Sequence, residues 1–528
     1  MRADDGRYIL SIDLGTSGPK VALVSTQGEV VDWEFEPMPL LLVPGGGAEQ
    51  RPDDWWDAIK TAAARLLGRR VVPVDDIVAL SCTTQWSGTV AVDRAGRPLM
   101  NAIIWMDSRG ARYIQDITGG LIKIQDYGLG RLVTWLRLTG GVPTHSGKDP
   151  IAHILYIKND LPDIYRATYK FLEPKDYLNL RLTGRFAAST ESITLHWLTD
   201  NRNIANVAYD DRLIAMSTID RDKLPDLKRA VDVLGPIRPE IAGELGLSRN
   251  VQVVMGTPDV HSAAIGSSAV RDGAAHLYIG TSSWLACHVP FKKSDLIHNM
   301  ASLPAAIPNR YLLVNEQECA GACLNYLRDN LVYPEDEMAT GARPSNAYQV
   351  FDRIAEKVPA GSGKVIFTPW LYGERTPIDD HLVRGGFFNQ SLHTTREHLI
   401  RAVFEGVAYN ARWLLKYVEQ FVGRRVDVIN AIGGGAKSNV WCQIYADVLN
   451  RTIKQIKDPA LASVRGAAFL AAVALGHLTF DDIPTRVEIA CTYEPNPAHR
   501  AIYDELFNEF VNLYQRNKSI YARLNRSA

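Results

Sequence analysis

The chain of 528 residues has almost no net charge: 58 Lys and Arg stand against 59 Asp and Glu, for a balance of −1. That excludes the basic field that nucleic acid or an anionic bilayer requires, so an anionic ligand has to be held by local groups. Cysteine is scarce. Cys82, Cys287, Cys319, Cys323, Cys442 and Cys491 are scattered without a CxxC pair, which argues against a zinc site or a disulfide framework and for buried, reduced thiols. Long hydrophobic runs are missing as well. The longest small-apolar run, Gly466 to Gly476, falls well short of the roughly 20 residues that cross a bilayer. The opening MRADDGRY is charged and lacks the apolar stretch of a secretory signal, so the expected location is the cytoplasm. Two phosphate-binding signatures are also absent: neither GxxxxGK[ST] nor the GxGxxG that opens a dinucleotide-binding helix occurs where it would count.

What is present is ordinary for a soluble globular protein, with 46% hydrophobic and 22% charged residues. At a prior of roughly 150 residues per domain the length allows two to four domains. Residues 8–14 (YILSIDL) and 20–26 (KVALVST) read as strands around the turn Gly15-Thr16-Ser17-Gly18. A helical pattern follows in Trp55, Ile59, Ala62, Ala63 and Leu66, then a strand at 77–83. This alternation predicts an α/β fold. Residues 110–150 are glycine-rich without firm periodicity and read as an insertion or lid. After a strand at 251–255, Gly256-Thr257-Pro258-Asp259 is strong punctuation, and a boundary between domains 1–256 and 257–528 is expected there. The second half has a strand at 275–279, helices at 395–420 and 440–449, and a strand at 426–432.

The first loop has an echo. IDLGTSGPK at 12–20 is matched by Tyr278-Ile279-Gly280-Thr281-Ser282-Ser283, so a duplicated domain closing on itself would bring two Gly-Thr-Ser tips to one cleft. Glycine lets backbone N–H groups approach a ligand, and Thr and Ser add hydroxyl donors, which together suit phosphate oxygens. Gly15, Thr16, Ser17, Lys20, Gly280 and Thr281 are therefore candidate phosphate contacts. Asp13, just before the first loop, makes sense beside phosphate chiefly with Mg²⁺ between them, against the plainer reading of a turn-stabilising carboxylate. Gly433-Gly434-Gly435-Ala436-Lys437-Ser438-Asn439 lies between a strand and a helix and offers flat backbone for an aromatic base. Asp259 sits where a carboxylate would face a cleft and take a proton from a hydroxyl nucleophile; the plainer alternative is a helix cap.

Taken together these segments resemble the FGGY family of carbohydrate kinases, most closely its xylulokinase-like branch. The resemblance rests on IDLGTSGPK, AEQRPDDWWDAI (48–59), AIIWMDSR (102–109), EPKDYLNLRLTG (173–184), GTPDVHSAAIG (256–266), IGTSS, PWLYGERTP (369–377), RGGFFNQSLHTTREHLIRAVFEGVA (384–408) and GGGAKSNVWCQIYADVLNR (433–451). It implies two actin-like, ribonuclease H-like domains flanking a central cleft, with sugar and the first phosphate loop on the N-terminal domain and nucleotide on the C-terminal one. ATP and Mg²⁺ are the implied cofactors, with a small sugar or polyol as the other partner and a homodimer allowed. By residue, it makes Asp259 the catalytic base, Asp13 the carboxylate that orients Mg²⁺, and Gly434, Gly435, Ala436 and Asn439 the adenosine loop.

Departures fall where the sugar is read. Xylulokinases usually show Gln-Met-His-Gly where this chain has Gln85-Trp86-Ser87-Gly88, and Asp-Asn where it has Asp259-Val260. Gln85, Trp86, Ser87, Asp107 and Asp259 are the expected sugar contacts. The loss of a histidine and an amide removes partners for substrate hydroxyls, at about 1–3 kcal/mol each, so D-xylulose itself is not fixed by the resemblance. The expected reaction is phosphorylation of a primary hydroxyl of a small ketose such as xylulose or ribulose. The alternatives are an alditol kinase (glycerol, erythritol or a pentitol) and a non-catalytic nucleotide switch of the actin group.

Overall fold

The computed structural model describes residues 6–337 and 343–526. Two mixed sheets organise the chain. In the first, strands β1 (Tyr8–Gly15), β2 (Gly18–Ser25), β3 (Val30–Phe35), β4 (Ile77–Thr84), β5 (Val233–Pro236) and β6 (Gln252–Val254) lie in the order β5-β6-β4-β1-β2-β3. β1 pairs antiparallel with β2 and parallel with β4; β6 runs parallel to β4, and β5 antiparallel to β6. The apolar run of β1 is buried on both faces, as a strand covered by helices must be.

The second sheet repeats the plan. Its strands are β7 (Ala275–Ile279), β8 (Ser283–Val289), β9 (Ser294–Asp295), β10 (Met300–Pro304), β11 (Tyr311–Val314), β12 (Val428–Ile432), β13 (Thr452–Ile456) and β14 (Ile489–Tyr493), in the order β9-β10-β11-β8-β7-β12-β13-β14. Here β7 pairs antiparallel with β8 and parallel with β12, β13 runs parallel to β12, and β14 antiparallel to β13. The hairpins β1–β2 and β7–β8 are thus topological equivalents. Their tips are the two Gly-Thr-Ser loops.

Helices cover both sheets: α1 (Pro52–Gly68), α2 (Pro150–Asp160), α3 (Pro174–Thr183), α4 (Asp259–Gly266), α5 (Arg396–Val422), α6 (Asn439–Leu449), α7 (Ala462–Ala474) and α8 (Arg500–Asn525). α1 starts as its sequence dictates, with Pro at the first position, Asp53 and Asp54 in the first turn, and a buried stripe including Trp55, Ile59, Ala62 and Leu66. α4 and α7 follow the equivalent strands β6 and β13 and pack on each other between the sheets. The contact is backbone against backbone: a Cβ on Gly266 would stand 1.8 Å from Ala462 O, and one on Gly466 would stand 1.9 Å from Ser262 O. Small buried residues on both helices, among them Ala263, Ala264, Ala468 and Ala471, join Ile9, Ala79 and Val254 of the first sheet to Ile432 and Ile456 of the second. The two sheets share this central layer.

One expectation changes. Residues 110–150 are not featureless; they hold helices Ala111–Thr118 and Leu129–Leu138 and a small hairpin, Lys123–Ile124 with Tyr127–Gly128. The helices are too short for a periodic signal, and glycines interrupt it on either side. Among the described residues no helix is long and apolar enough to cross a membrane.

Candidate active site

The first tip is held rather than free. Gly15 pairs with Gly18, which leaves Thr16 and Ser17 as a two-residue turn. Gly18 has φ +145°, and a Cβ there would stand 2.0 Å from Glu36 O, so only glycine fits. The Thr16 hydroxyl donates to Gln85 Oε1 at 2.8 Å and accepts from Trp105 Nε1 at 3.0 Å, while Gln50 Nε2 donates to Thr16 O at 2.7 Å. Gln85 Nε2 in turn donates to Gln50 Oε1 at 2.8 Å. Gln85 is thus buried and engaged through both ends of its amide. It braces the loop, and the exposed Ser17 is the turn's open hydroxyl.

The second tip is braced by the start of the helix Gly321–Tyr326. Ala320 N–H and Ala322 N–H donate to Thr281 O at 2.8 and 3.1 Å, and Gly321 N–H donates to Gly280 O at 2.8 Å. With its carbonyls satisfied from behind, the tip leaves Thr281 exposed. The glycine loop packs directly beside it: a Cβ on Gly435 would stand 2.4 Å from Ile279 Cγ2, and one on Gly433 2.6 Å from Ile279 O. Ala436 O and Asn439 Oδ1 both accept from Gln455 Nε2, at 2.7 and 3.1 Å. Gly434 and Asn439 are exposed, and Ser438 caps α6 by accepting from Trp441 N–H at 3.0 Å.

Asp259 opens α4, half-buried, and its Oδ1 accepts from Val260 N–H at 2.8 Å. Gly256, three residues earlier, has φ +68°, and a Cβ there would stand 2.2 Å from Cys82 O, so the loop presses on β4. Burial and the nearby Asp13 carboxylate push Asp259 up to about 8, with Glu316 adding to the rise. Asp13 is ion-paired with Lys20 at 3.1 Å, and Asp13, Tyr278 and Asp259 in turn raise Lys20. Asp13 and Asp259, from the two halves of the chain, are therefore electrostatically coupled to each other and to Lys20. One carboxylate beside phosphate oxygens is the usual setting for Mg²⁺, and a site where carboxylates destabilise each other favours a cation. Asp13 fits that ion.

Asp107 and Ser87, two further expected sugar contacts, are both engaged within the chain. Asp107 is 1% exposed. Its oxygens accept from Ala48 N–H at 2.9 Å, from Arg109 N–H at 2.9 Å and from the Arg109 guanidinium at 2.7 Å, and Arg109 also donates to Glu49 and Tyr156. The carboxylate anchors Arg109 and the Ala48 N–H. Ser87 has φ +65°, and its Oγ donates to Lys148 O at 2.7 Å, so it ties the 144–149 segment to β4. The Trp86 indole donates to Ser192 O at 2.9 Å and meets the ring of His261, two residues beyond Asp259, edge-on at 5.1 Å.

A charged cluster gathers around the GERTP stretch. Arg375 forks onto Glu318 Oε1 at 2.7 Å and donates to Glu316 Oε2 at 2.5 Å, beside the strand pairing of Gln317 with Ser283. Glu374 is 1% exposed, accepts from Arg375 N–H at 2.8 Å and Glu318 N–H at 3.1 Å, and is pushed by burial to about 7. Lys148 is half-buried, and its ammonium lies 5.4 Å from the centre of the Tyr372 ring. Only the GERTP stretch hinted at this cluster.

Comparison with known proteins decides the family. The N-terminal domain model of the FGGY family of carbohydrate kinases matches residues 8–266 and the C-terminal domain model matches 275–475. The chain belongs to the FGGY family of carbohydrate kinases. This FGGY kinase is 29% identical to a xylulose kinase of Staphylococcus epidermidis over 526 residues, 98% of each chain. Its fold is similar to those of a gluconate kinase and a ligand-bound xylulose kinase, both from Lactobacillus acidophilus. The TM-scores are 0.85 and 0.84 at 26% identity, covering 98% of this chain and 99% and 100% of theirs. It is a sugar kinase, working with ATP and Mg²⁺.

Proposed function

We propose that this FGGY kinase phosphorylates a primary hydroxyl of a pentulose, with residues 1–256 holding the sugar and residues 257–528 the nucleotide. The observation that carries the reading is Asp259, a carboxylate at a helix start and raised to about 8, electrostatically coupled to the Asp13–Lys20 pair of the other half. A base titrating near the working pH is well matched to accept a hydroxyl proton as attack begins. Ser17 and Thr281 offer hydroxyl donors to phosphate oxygens where Gly15 and Gly280 let the backbone come close, and Lys20 supplies positive charge beside them. Gly434, Gly435, Ala436 and Asn439 hold adenosine against Ile279. Asp13 would hold Mg²⁺, which would supply charge neutralisation for the phosphates. Trp86 and Val260 shape the wall beside the acceptor hydroxyl. Closure of the halves about the α4–α7 contact excludes water, the competing acceptor.

A cytosolic homodimer is part of the reading. The edge strand β3 exposes Val31, Trp33 and Phe35, an apolar ladder that a second copy would cover, and light scattering at twice 58.6 kDa checks it. A second acceptor class is favoured by one specific observation: the half-buried Lys148 ammonium, 5.4 Å from the centre of the Tyr372 ring, together with the likeness to a gluconate kinase, suits a sugar acid.

The test is ADP release over C3 to C7 ketoses, alditols and aldonates at saturating MgATP. A pentulose is expected to give the highest kcat/KM. An aldonate or alditol ahead of every ketose by tenfold would overturn the pentulose assignment and leave the kinase standing.

A further inference from the structure

Beneath the 255–259 loop lies a set of charged and polar side chains with no access to solvent. Lys175, Asp176 and Asn179 of α3, and Ser192 beyond it, are each 0% exposed. Lys175 Nζ donates to Met255 O at 3.2 Å, and Asn179 Nδ2 donates to the same carbonyl at 2.7 Å. On its other side the loop is fixed by Met255 N–H to Asp232 O at 2.9 Å and Gly256 N–H to Ala230 O at 3.0 Å. The carbonyl four residues before Asp259 is therefore clamped.

The clamp is connected to the substrate wall. Lys175 is ion-paired with Asp176, whose Oδ2 accepts from Ser192 Oγ at 2.8 Å. Ser192 O accepts from the Trp86 indole at 2.9 Å. An unbroken path thus runs from Met255 through Lys175, Asp176 and Ser192 to Trp86. Burying an ion pair away from water costs more than well-packed apolar side chains would, and leaving half of such a pair unpartnered costs more still. Lys175 and Asp176 each have a further hydrogen-bond partner, Met255 O and Ser192 Oγ, which stiffens their surroundings, while Asn179 Oδ1 is buried without one.

We propose that Lys175, Asp176 and Ser192 are positioning residues that lock the loop carrying Asp259 to the wall formed by Trp86, so that base and wall move as one body. The proposal rests on the reading of Asp259 as the base. Asp176→Asn keeps the side-chain shape and removes the charge; Ser192→Ala removes the hydroxyl and keeps the carbonyl that Trp86 uses; Trp86→Phe removes the indole donor.

The acceptor for the test is whichever of D-xylulose, D-ribulose, ribitol and D-gluconate gives wild type its highest kcat/KM. Asp176→Asn is expected to lower kcat about tenfold and Ser192→Ala about threefold, with the KM for ATP within twofold of wild type. The double variant Trp86→Phe, Asp176→Asn is expected to lose no more kcat than the worse single one, because both cut the same path. A kcat within twofold of wild type in a folded Asp176→Asn overturns the proposal, as do losses that multiply in the double variant. So does a rise in the KM for ATP that matches the fall in kcat. An Asp259→Asn variant run alongside separates the two readings: if it keeps wild-type activity, the base assignment falls. If it is inactive while Asp176→Asn is not impaired, only the positioning path falls.

Discussion

Asp259 is held at a cost to the fold that its removal should expose. Its carboxyl is raised from the ordinary 3.8 to about 8 by burial and by Asp13. Below about pH 4 the carboxyl is protonated in both the folded and the unfolded chain and contributes nothing. Between pH 4 and 8 the unfolded chain ionises while the folded one keeps its proton, so stability falls as pH rises. Above the folded value the loss is constant. Four pKa units at about 1.36 kcal/mol each set a ceiling of about 5 kcal/mol. The group is half-open to the cleft, which screens it, and about 1–2 kcal/mol is a sounder expectation. Asp259→Asn keeps the Oδ1 that accepts from Val260 N–H and carries no charge, so it should be the more stable protein at pH 8 by that amount. At pH 5 only the first pH unit or so of the titration has been crossed, so the gap should shrink to about a quarter. The assay is chemical or thermal denaturation of both proteins in EDTA at the two pH values, with kcat measured in MgATP. Activity should fall by about 10²–10⁴-fold as the general base is lost. A variant no more stable than wild type at pH 8, or a gap independent of pH, would refute the electrostatic account.

Gln85→Ala removes the brace on Thr16 and Gln50; a lost buried amide contact of about 1–2 kcal/mol should raise the KM for ATP about tenfold and the sugar KM much less, read from initial rates. Gly466→Ala puts a Cβ 1.9 Å from Ser262 O in the layer joining the halves, and should destabilise by about 1–3 kcal/mol, seen as a lower denaturation midpoint. Val260→Asn restores the amide that the family usually places next to the base; kcat/KM for D-xylulose should rise about tenfold if that amide binds a sugar hydroxyl, and a flat response would place sugar recognition elsewhere.

The two hairpins were readable because everything they need is local: alternating apolar strands, a Gly-Thr-Ser turn, and a repeat of both half a chain later. The start of α4 was readable for the same reason, since Gly256, Pro258 and Asp259 form a turn and helix start within four residues. What stayed hidden depends on partners far apart in the chain. Asp107 was named only as an expected sugar contact, and its contacts with Arg109 and with the Ala48 N–H, the latter 59 positions away, came from the fold. Glu316 and Glu318 meet Arg375 across separations of 59 and 57, and neither stretch signals charge pairing by itself. The burial of Lys175 and Asp176, each 0% exposed, is set by the tertiary fold. Trp86 and Ser192 are 106 positions apart. Turn and periodicity rules report on neighbours within about one helical turn, so they locate the loops that can grip phosphate but not the buried contacts that hold those loops still. In this FGGY kinase the grip and its rigidity are therefore written at different ranges, and the substitutions that separate them are those at Gln85 and Asp176, each a buried partner distant in the chain from the loop it steadies.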